Sequence, residues 1–588
     1  MSFDAWLTLA IVVLMLYALV REVGPPAALV LAATVTLLVA DVIDEGQAFA
    51  GFSNPAPITV AALYVLAGGA EKTGLMGPLV DRLLGSTGRV GRRDLARLLL
   101  PSAGISGFIN NTPLVAMLIP EVTAWCRKRK VSPSRLLLPL SYAAILGGTV
   151  TVIGTSTNLV VSGLLEESGR DPLSLFEITP VGGVAALLGL ALLVTVIPLL
   201  LPERRSADQA FTDQMREFVV EMEVAPRGAL DGRSVEGAGL RHLEGVYLIE
   251  IERDGRMIAP VSPTTELRGG DRLTFVGQAD LVVDLQRTSG LRSAQEEHLL
   301  AIDSPQHTFF EAVIGGSSSL VGRNLRDSDF RARYGAAVVA IHRAGTRVAG
   351  KLGQVELRPG DTLLLLAGRD FRARWRESGD FLLVARLGGP PPSATRRAPI
   401  VGITAVVMIG LAALEVLPIL HLALIAAAVM IVARVLTVSE ARQAIDLDVI
   451  VLIAAAFGVG AAIEETGLAS TVADGLVDGL GPLGDLGIVL GIVVATLLLT
   501  EVITNNAAAV VIFPIGLAVA AEAGLDPRAI AIAIAVTASS SFLTPLGYQT
   551  NTMVYGPGGY RFGDYLRAGI PLSVMVVAAI TAMTLMLA

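Results

Sequence analysis

The 588-residue chain has one cysteine, Cys126. An intrachain disulfide and any cysteine-built zinc or iron–sulfur centre are therefore excluded. Charge is also scarce. Asp, Glu, Lys and Arg make up 17% of the residues, against about a quarter in ordinary soluble domains. The formal net charge of -8 argues against a nucleic-acid binder dominated by basic charge. The five histidines show no metal-ligand spacing: His242, His298, His307 and His342 are scattered between the apolar flanks, and His421 is expected at a helix end. The start, Met1–Trp6, lacks the basic stretch that precedes a cleaved signal, so the first apolar segment is expected to span a membrane.

What is abundant is apolar sequence: 53% of residues are hydrophobic, and mean hydropathy is +0.65. Spanning a bilayer by helix takes roughly 20 mostly apolar residues. Candidate segments are 6–20, 26–43, 57–71, 95–125, 135–165 and 176–201, then 398–415, 418–433, 448–463, 486–521, 528–556 and 568–587. Segments 95–125 and 486–521 are too long for one crossing and carry Asn-Asn in the middle, which predicts re-entrant hairpins. Segments 135–165 and 528–556 are interrupted by Gly, Thr and Asn, which predicts discontinuous helices.

With five crossings and one hairpin per third, and the N-terminus outside, the cytoplasmic stretches of the membrane parts collect twenty Lys and Arg. The outside stretches collect only Arg170 and Arg528, and otherwise hold acids such as Glu464, Glu465, Asp474, Asp478 and Asp485. That is the positive-inside pattern. It predicts a multi-pass protein of the plasma (inner) membrane, in contact with lipid, with both termini outside and residues 206–395 cytoplasmic.

The two apolar thirds match at one offset. Glu71–Leu75 corresponds to Glu464–Leu468, and Thr151, Gly154, Asn158 and Gly163 correspond to Thr544, Gly547, Asn551 and Gly556, all 393 apart. Asn111 precedes Pro120 by nine residues, as Asn505 precedes Pro514, at 394. An odd number of crossings per copy turns the second copy upside down. Inverted repeats with broken helices mark secondary transporters, whose substrate site lies near mid-membrane.

Between the thirds lies a second duplication. Gly232, Gly245, Arg253, Gly255, Gly270 and Asp271 recur 90 residues later as Gly322, Gly335, Arg343, Gly345, Gly360 and Asp361. Val246–Glu252, Ala336–His342, Arg272–Val276 and Thr362–Leu366 are predicted strands of two small α/β modules. The expected domains are 1–205 (first membrane repeat), 206–300 and 301–387 (the two modules), 388–397 (a Pro-rich linker) and 398–588 (second membrane repeat). The modules could be sensors, spacers or dimerisation elements.

The chemistry of the membrane thirds centres on Asn110-Asn111-Thr112 and Thr504-Asn505-Asn506 at the predicted hairpin tips. Irregular backbone at membrane depth is tolerated where protein or a water-filled cavity surrounds it. Its freed carbonyls suit a hard cation, and helix N-termini suit an anion. The interruptions Gly154–Asn158 and Gly547–Asn551 would complete the sites. None of these four motifs holds a Lys, Arg or His, so an anion would be held by dipoles and a companion cation, which favours symport. The bland alternative is that these residues only cap and glue helices. Glu501, an acid in an apolar hairpin, is either a proton or cation site or a structural hydrogen-bond partner.

These features resemble the divalent-anion/sodium symporter (DASS) family of the ion-transporter superfamily. The resemblance rests on the paired tips, on Thr500–Asn506 and on Gly556–Leu572, and it covers both membrane thirds. It implies homodimers, an elevator mechanism and Na⁺-coupled import of sulfate-like or carboxylate anions. It implies substrate contacts at Asn111, Thr112, Asn505 and Asn506 of the tips, to which the interruptions are expected to add Thr155, Asn158 and Asn551. It implies sodium ligands at Ser106, Asn110, Asn111, Gly154, Thr500, Thr504, Asn505 and Gly547. Asn110, Thr504 and Asn506 depart from the family's Ser-Asn-Thr tips, and its Thr-Pro-Pro is missing from both breaks, which weakens the case for a dicarboxylate pocket. The modules resemble TrkA-C (RCK-C) domains, which implies regulation, with a nucleotide such as cyclic di-AMP as one possible ligand. The expected function is Na⁺-coupled symport of a small divalent anion, sulfate-like first. The alternatives are a di- or tricarboxylate symporter, a proton-coupled exchanger and, more distantly, a ligand-gated channel, for which no Thr-Val-Gly-Tyr-Gly-type filter is present. With no nucleophile–base pair in the membrane thirds, an enzyme is not expected.

Overall fold

The computed structural model describes residues 2–588 except 22, 76–90, 130, 204–218, 241–245, 255, 259–260, 278–290, 294–306, 316–317, 344–345, 349–351, 369, 376–379, 387–395 and 546. Two compact units emerge. One joins Met1–Arg204 to Pro390–Ala588, and the other is Arg205–Gly389.

The first unit is helical. Its N-terminal part runs α1 (Phe3–Val20), α2 (Pro26–Val39), α3 (Glu45–Ser53), α4 (Pro55–Thr73), α5 (Arg92–Ser106), α6 (Asn111–Arg129), α7 (Leu137–Gly148), α8 (Ser156–Glu167) and α9 (Thr179–Thr195). Its C-terminal part runs α10 (Ala398–Ala413), α11 (Ile419–Val432), α12 (Val438–Ala444), α13 (Leu447–Glu465), α14 (Leu468–Leu480), α15 (Gly484–Thr500), α16 (Asn505–Ala523), α17 (Pro527–Ala538), α18 (Gln549–Tyr555) and α19 (Phe562–Leu587). Among the described residues, six helical stretches are long and apolar enough to cross a membrane, including Phe3–Val20, Asn505–Ala523 and Phe562–Leu587, and five shorter apolar helices accompany them. The protein is a multi-pass membrane protein.

The 393-residue offset extends to local structure. The Asp44/Gln47 capping box that starts α3 recurs as Thr437/Glu440 before α12. Asp41 and Arg434 share positive φ, 60° and 56°, and Gly74 and Gly467 end their helices at 63° and 68°. Packing is reciprocal: α2 lies on α13 as α11 lies on α4, and α6 meets α18 as α16 meets α8. The Thr34 hydroxyl on α2 donates to the Ala455 carbonyl on α13 at 2.7 Å. On α4, Lys72 pairs with Glu440 at 2.6 Å and pulls that carboxyl down to about 2.

Segments 95–125 and 486–521 each hold two helices joined by a short turn, α5–α6 and α15–α16, and segments 135–165 and 528–556 break between α7 and α8 and between α17 and α18. One expectation needs correction. Asp474 and Asp478 were expected in an outside loop but lie on α14, an amphipathic helix whose buried side is Leu468, Ala469 and Ala473. Acids every fourth residue on one face shorten the apolar run but leave the helical period intact.

Among its described residues the second unit holds two five-stranded antiparallel sheets. The first comprises β1 (Val219–Val224), β2 (Val246–Arg253), β3 (Arg256–Ile258), β4 (Arg272–Gly277) and β5 (Leu291–Ser293), in the order β3-β2-β4-β1-β5. The second comprises β6 (His307–Ile314), β7 (Ala336–Arg343), β8 (Thr346–Arg347), β9 (Thr362–Gly368) and β10 (Phe381–Arg386), in the order β10-β6-β9-β7-β8. Read from the opposite edge, the second order repeats the first. The irregularity between Leu248 and Glu250 on β2 reappears between Val338 and Ala340 on β7.

The repeated Arg and Gly-Asp positions are accounted for by folding, while Gly255 and Gly345 lie outside the described residues. Arg253 grips Asp271 through two nitrogens at 2.8 and 2.7 Å and reaches the Glu266 carbonyl at 2.6 Å. Arg343 does the same with Asp361, at 2.7 Å through both nitrogens, and with the Glu356 carbonyl at 2.8 Å. Gly270 and Gly360 turn the chain before each Asp at φ 94° and 78°, which favours glycine. Elsewhere in the second copy, burial alone would raise the Asp380 carboxyl, but donation from Tyr334 at 2.7 Å and from Ser319, with Arg333 alongside, holds it below the ordinary range.

Asp361 is fully buried while Arg343 is 30% exposed. Arg343→Ala is therefore expected to destabilise the second copy by about 2–4 kcal/mol, less than for a fully buried pair. Limited proteolysis of the full chain in detergent checks this: cleavage within 301–387 should accelerate while the helical unit stays intact.

Candidate transport site

Each hairpin tip is fixed by a hydroxyl one turn upstream. At the first, Ser106 donates to the Ala144 carbonyl of α7 at 2.8 Å and lies 2.6 Å from the Asn111 amide. At the second, Thr500 reaches the Ala538 carbonyl of α17 at 2.6 Å and the Asn505 amide oxygen at 3.0 Å. Asn111 satisfies its neighbours when its nitrogen faces Ser106 Oγ, the Ala144 carbonyl and the Gly154 carbonyl at 2.6, 3.1 and 3.3 Å, and its oxygen accepts the Tyr548 hydroxyl at 2.7 Å. Asn110 and Thr504 cap the helices that follow, accepting from Thr112 N and Ala507 N at 3.4 Å each.

The breaks are held by Asn158 and Asn551. Asn158 Nδ2 donates to the Gly148 and Thr151 carbonyls at 3.1 and 2.9 Å, and Asn551 Nδ2 to the Ser541 and Thr544 carbonyls at 3.1 and 3.2 Å. Ser141 donates to Asn551 Oδ1 at 2.8 Å. Both asparagines are fully buried. The structure thus uses these two expected substrate contacts as braces of their own breaks.

The other expected residues gather where the halves meet. Thr112 donates to Gln549 Oε1 at 3.1 Å, and the counterpart contact brings Ser156 and Thr157 to Asn506 Oδ1 at 3.3 and 2.9 Å. Thr155 meets the Tyr548 hydroxyl at 3.2 Å, and Asn505 also interacts with that hydroxyl. At Gly154 a Cβ would lie 2.5 Å from the Gly148 carbonyl, so the first break needs glycine for close approach, and at Gly547 one would press on the Ser541 and Thr544 hydroxyls and on Glu501 Oε2. The sequence placed Tyr548, Gln549, Ser156 and Thr157 inside the two interruptions without giving them a contact of their own, and passed over Ser141. For Tyr548 a signal was available, because it stands 393 residues after Thr155, a residue the sequence did single out.

Glu501 organises the second break. Its Oε1 accepts from the backbone N–H groups of Phe542 and Leu543 at 2.6 and 2.8 Å, and its Oε2 from Thr544 N at 3.1 Å. The Thr544 hydroxyl also donates to the Glu501 carbonyl at 3.3 Å, and at the matching place in the first half the Thr151 hydroxyl donates to the Gly107 carbonyl, with no carboxylate beside it among the described residues. On the rim, Arg528 at the start of α17 pairs with Glu177 and donates to the Asp171 and Pro172 carbonyls at 2.9 and 3.1 Å.

A glycine also backs each break. A Cβ at Gly182 would run into the Thr149 carbonyl, and one at Gly569 into the Phe542 carbonyl. Gly569→Ala is expected to push the second break off its position and to cut transport by about 10- to 100-fold, at an overpacking cost of about 1–3 kcal/mol. Initial uptake rate set beside the thermal midpoint separates the two effects.

The donors at this centre are amides, hydroxyls and carbonyls. Among the described residues no three His, Cys, Asp or Glu side chains gather to hold a metal. Neutral oxygens around broken helices inside a multi-pass bundle define a membrane transporter. More narrowly, the chain belongs to the citrate transporter (CitMHS) family, whose model matches residues 11–536. It is 38% identical to a putative sulfur deprivation response regulator of Chlamydomonas reinhardtii, over 94% of this chain and 96% of that protein. It is 34% identical to an uncharacterized transporter of Synechocystis, over 97% and 95%. It is 26% identical to sodium/sulfate cotransporter 2 of C. reinhardtii, over 95% and 86%. The family is one of transporters, not enzymes.

Proposed function

We propose that this chain is a Na⁺-coupled secondary transporter of a small divalent anion, sulfate first. The carrying observation is the pair of neutral, oxygen-lined tips. Ser106 Oγ and the Gly154 carbonyl at one tip, with the Asn111 amide oxygen beside them facing Tyr548, and Thr500 with Asn505 at the other, are oxygen atoms of the kind a hard cation prefers. None of the four motifs carries a basic side chain, so an anion bound there takes its countercharge from a co-bound cation and from the N-termini of α6 and α16.

The family's name points to citrate. Sulfate is preferred because relatives matching nearly the whole chain carry sodium/sulfate or sulfur-deprivation names. The repeated helices and their reciprocal packing favour two inverted copies working by alternating access, with an elevator motion and a homodimer as further parts of the proposal. The paired sheets of Arg205–Gly389 are read as cytoplasmic RCK-C-like regulators.

Radiolabelled sulfate uptake into proteoliposomes, with and without an inward Na⁺ gradient, tests this reading. Na⁺-stimulated accumulation is the expected result. Uptake of citrate or succinate in its place would move the substrate to carboxylates, and uptake driven equally by a pH gradient would remove sodium.

A further inference from the structure

The amide oxygen of Asn111 is the one atom of that side chain able to ligate a cation, because the amide nitrogen only donates. Here that oxygen accepts the Tyr548 hydroxyl at 2.7 Å, while the nitrogen faces Ser106 and two carbonyls. A phenol has one proton to give, and Tyr548 gives it to Asn111. The Thr155 hydroxyl sits 3.2 Å from the same phenol oxygen, on its accepting side.

The two halves are unequal at this point. Position 155 of the first break is a threonine, and its counterpart in the second break is Tyr548. A threonine hydroxyl stays beside its own backbone. A tyrosine hydroxyl stands a ring's length away and crosses from the second break to the first tip. Tyr548 is nearly buried, at 8% exposure. The Asn505 amide also interacts with the phenol, and its oxygen lies 3.0 Å from Thr500 of its own hairpin, whose hydroxyl is closer to the Ala538 carbonyl at 2.6 Å.

We propose that Tyr548 is the coupling residue of the site. A cation that takes Asn111 Oδ1 displaces the phenol, and the freed O–H turns to donate to an oxygen of the anion. Cation and anion then share one proton donor: it caps Asn111 when no cation binds there, and it faces the anion when one does. No covalent step is involved. The inference rests on the cation and anion reading of the tips and adds the device that links them.

The test uses the full-length purified transporter and the Tyr548→Phe variant, which keeps the ring and removes the proton. Thermal midpoints are measured over a titration of NaCl against choline chloride with no transported anion present, and sulfate KM is measured in proteoliposomes at saturating Na⁺. Loss of one hydrogen bond predicts that half-saturating Na⁺ falls by about three- to tenfold and that sulfate KM rises by about the same factor. Shifts of opposite sign separate the latch from simple damage, which weakens both. Thr155→Val leaves the phenol in place but removes its second partner, and should shift both quantities the same way by less, which keeps the test available if Tyr548→Phe fails to fold. Unchanged values in both variants, or a parallel weakening of cation and anion, overturn the proposal. A wild-type protein whose melting and uptake both ignore Na⁺ overturns the sodium reading and the latch with it. A Na⁺-responsive wild type beside a variant with the same constants overturns the latch alone.

Discussion

Uptake by Asn505→Ala is expected to fall by about 100-fold or more, with the protein still folded and inserted. Asn505 opens α16, is partly exposed, and receives Thr500 at 3.0 Å. When the amide is removed, the Thr500 hydroxyl keeps its stronger partner, the Ala538 carbonyl at 2.6 Å. No buried group is orphaned, so the loss falls on ion and substrate binding and on the geometry they share. Asn111→Ala is a different experiment. Asn111 is fully buried and serves Ser106, Gly154 and Tyr548 together. Its removal leaves polar groups unpaired at about 1–3 kcal/mol each and is expected to lower the thermal midpoint as well as uptake. Asn505→Ala is therefore the informative variant. Wild-type uptake rates from it would move the transport site away from the second tip.

The sequence made the tips and breaks legible because they are local. Asn-Asn inside an overlong apolar run, and Gly-Thr-Asn clusters inside another, disturb helix continuity wherever they occur, and the 393-residue offset ties one set to the other. The strands after each Gly-Asp turn were legible for the same reason: a glycine at positive φ and a β-rich run lie side by side in the chain. Contacts between the halves were not legible. Tyr548 meets Asn111 across 437 residues and Thr155 across 393, and no periodicity carries that information. Asn158 and Asn551 show a related limit. Their matched spacing marked them as important, but spacing alone does not tell a residue that meets the solute from one that ties down the break beside it. In the inserted unit the Arg and Asp of each copy read as a module signature, and the structure shows the reason for their spacing, a two-pronged ion pair that closes the turn before β4 and β9.

Glu501 was left open by its sequence, and its neighbours favour one role. The backbone groups aimed at its two oxygens, the N–H of Phe542, Leu543 and Thr544, are all donors. Such a ring suits an acceptor-only carboxylate and is hostile to a cation, which would face the same positive ends. Glu501→Gln keeps the shape but replaces one acceptor by an NH₂ group pointing at N–H donors. At least one buried amide then loses its partner, at about 1–3 kcal/mol, and the remaining bonds lose their charge assistance. The second break carries Tyr548 and Gly547, so its displacement is expected to cut the maximal rate by about tenfold or more and to lower the thermal midpoint, while half-saturating Na⁺ in the surviving activity stays near the wild-type value. A cation ligand would behave the other way, with half-saturating Na⁺ rising steeply and the midpoint in choline chloride unchanged. That pattern would return Glu501 to the ion path. The bracing pattern would show that both breaks share a threonine hydroxyl on a backbone carbonyl, Thr544 on Glu501 and Thr151 on Gly107, and that the transporter adds a buried charge to the second of them alone.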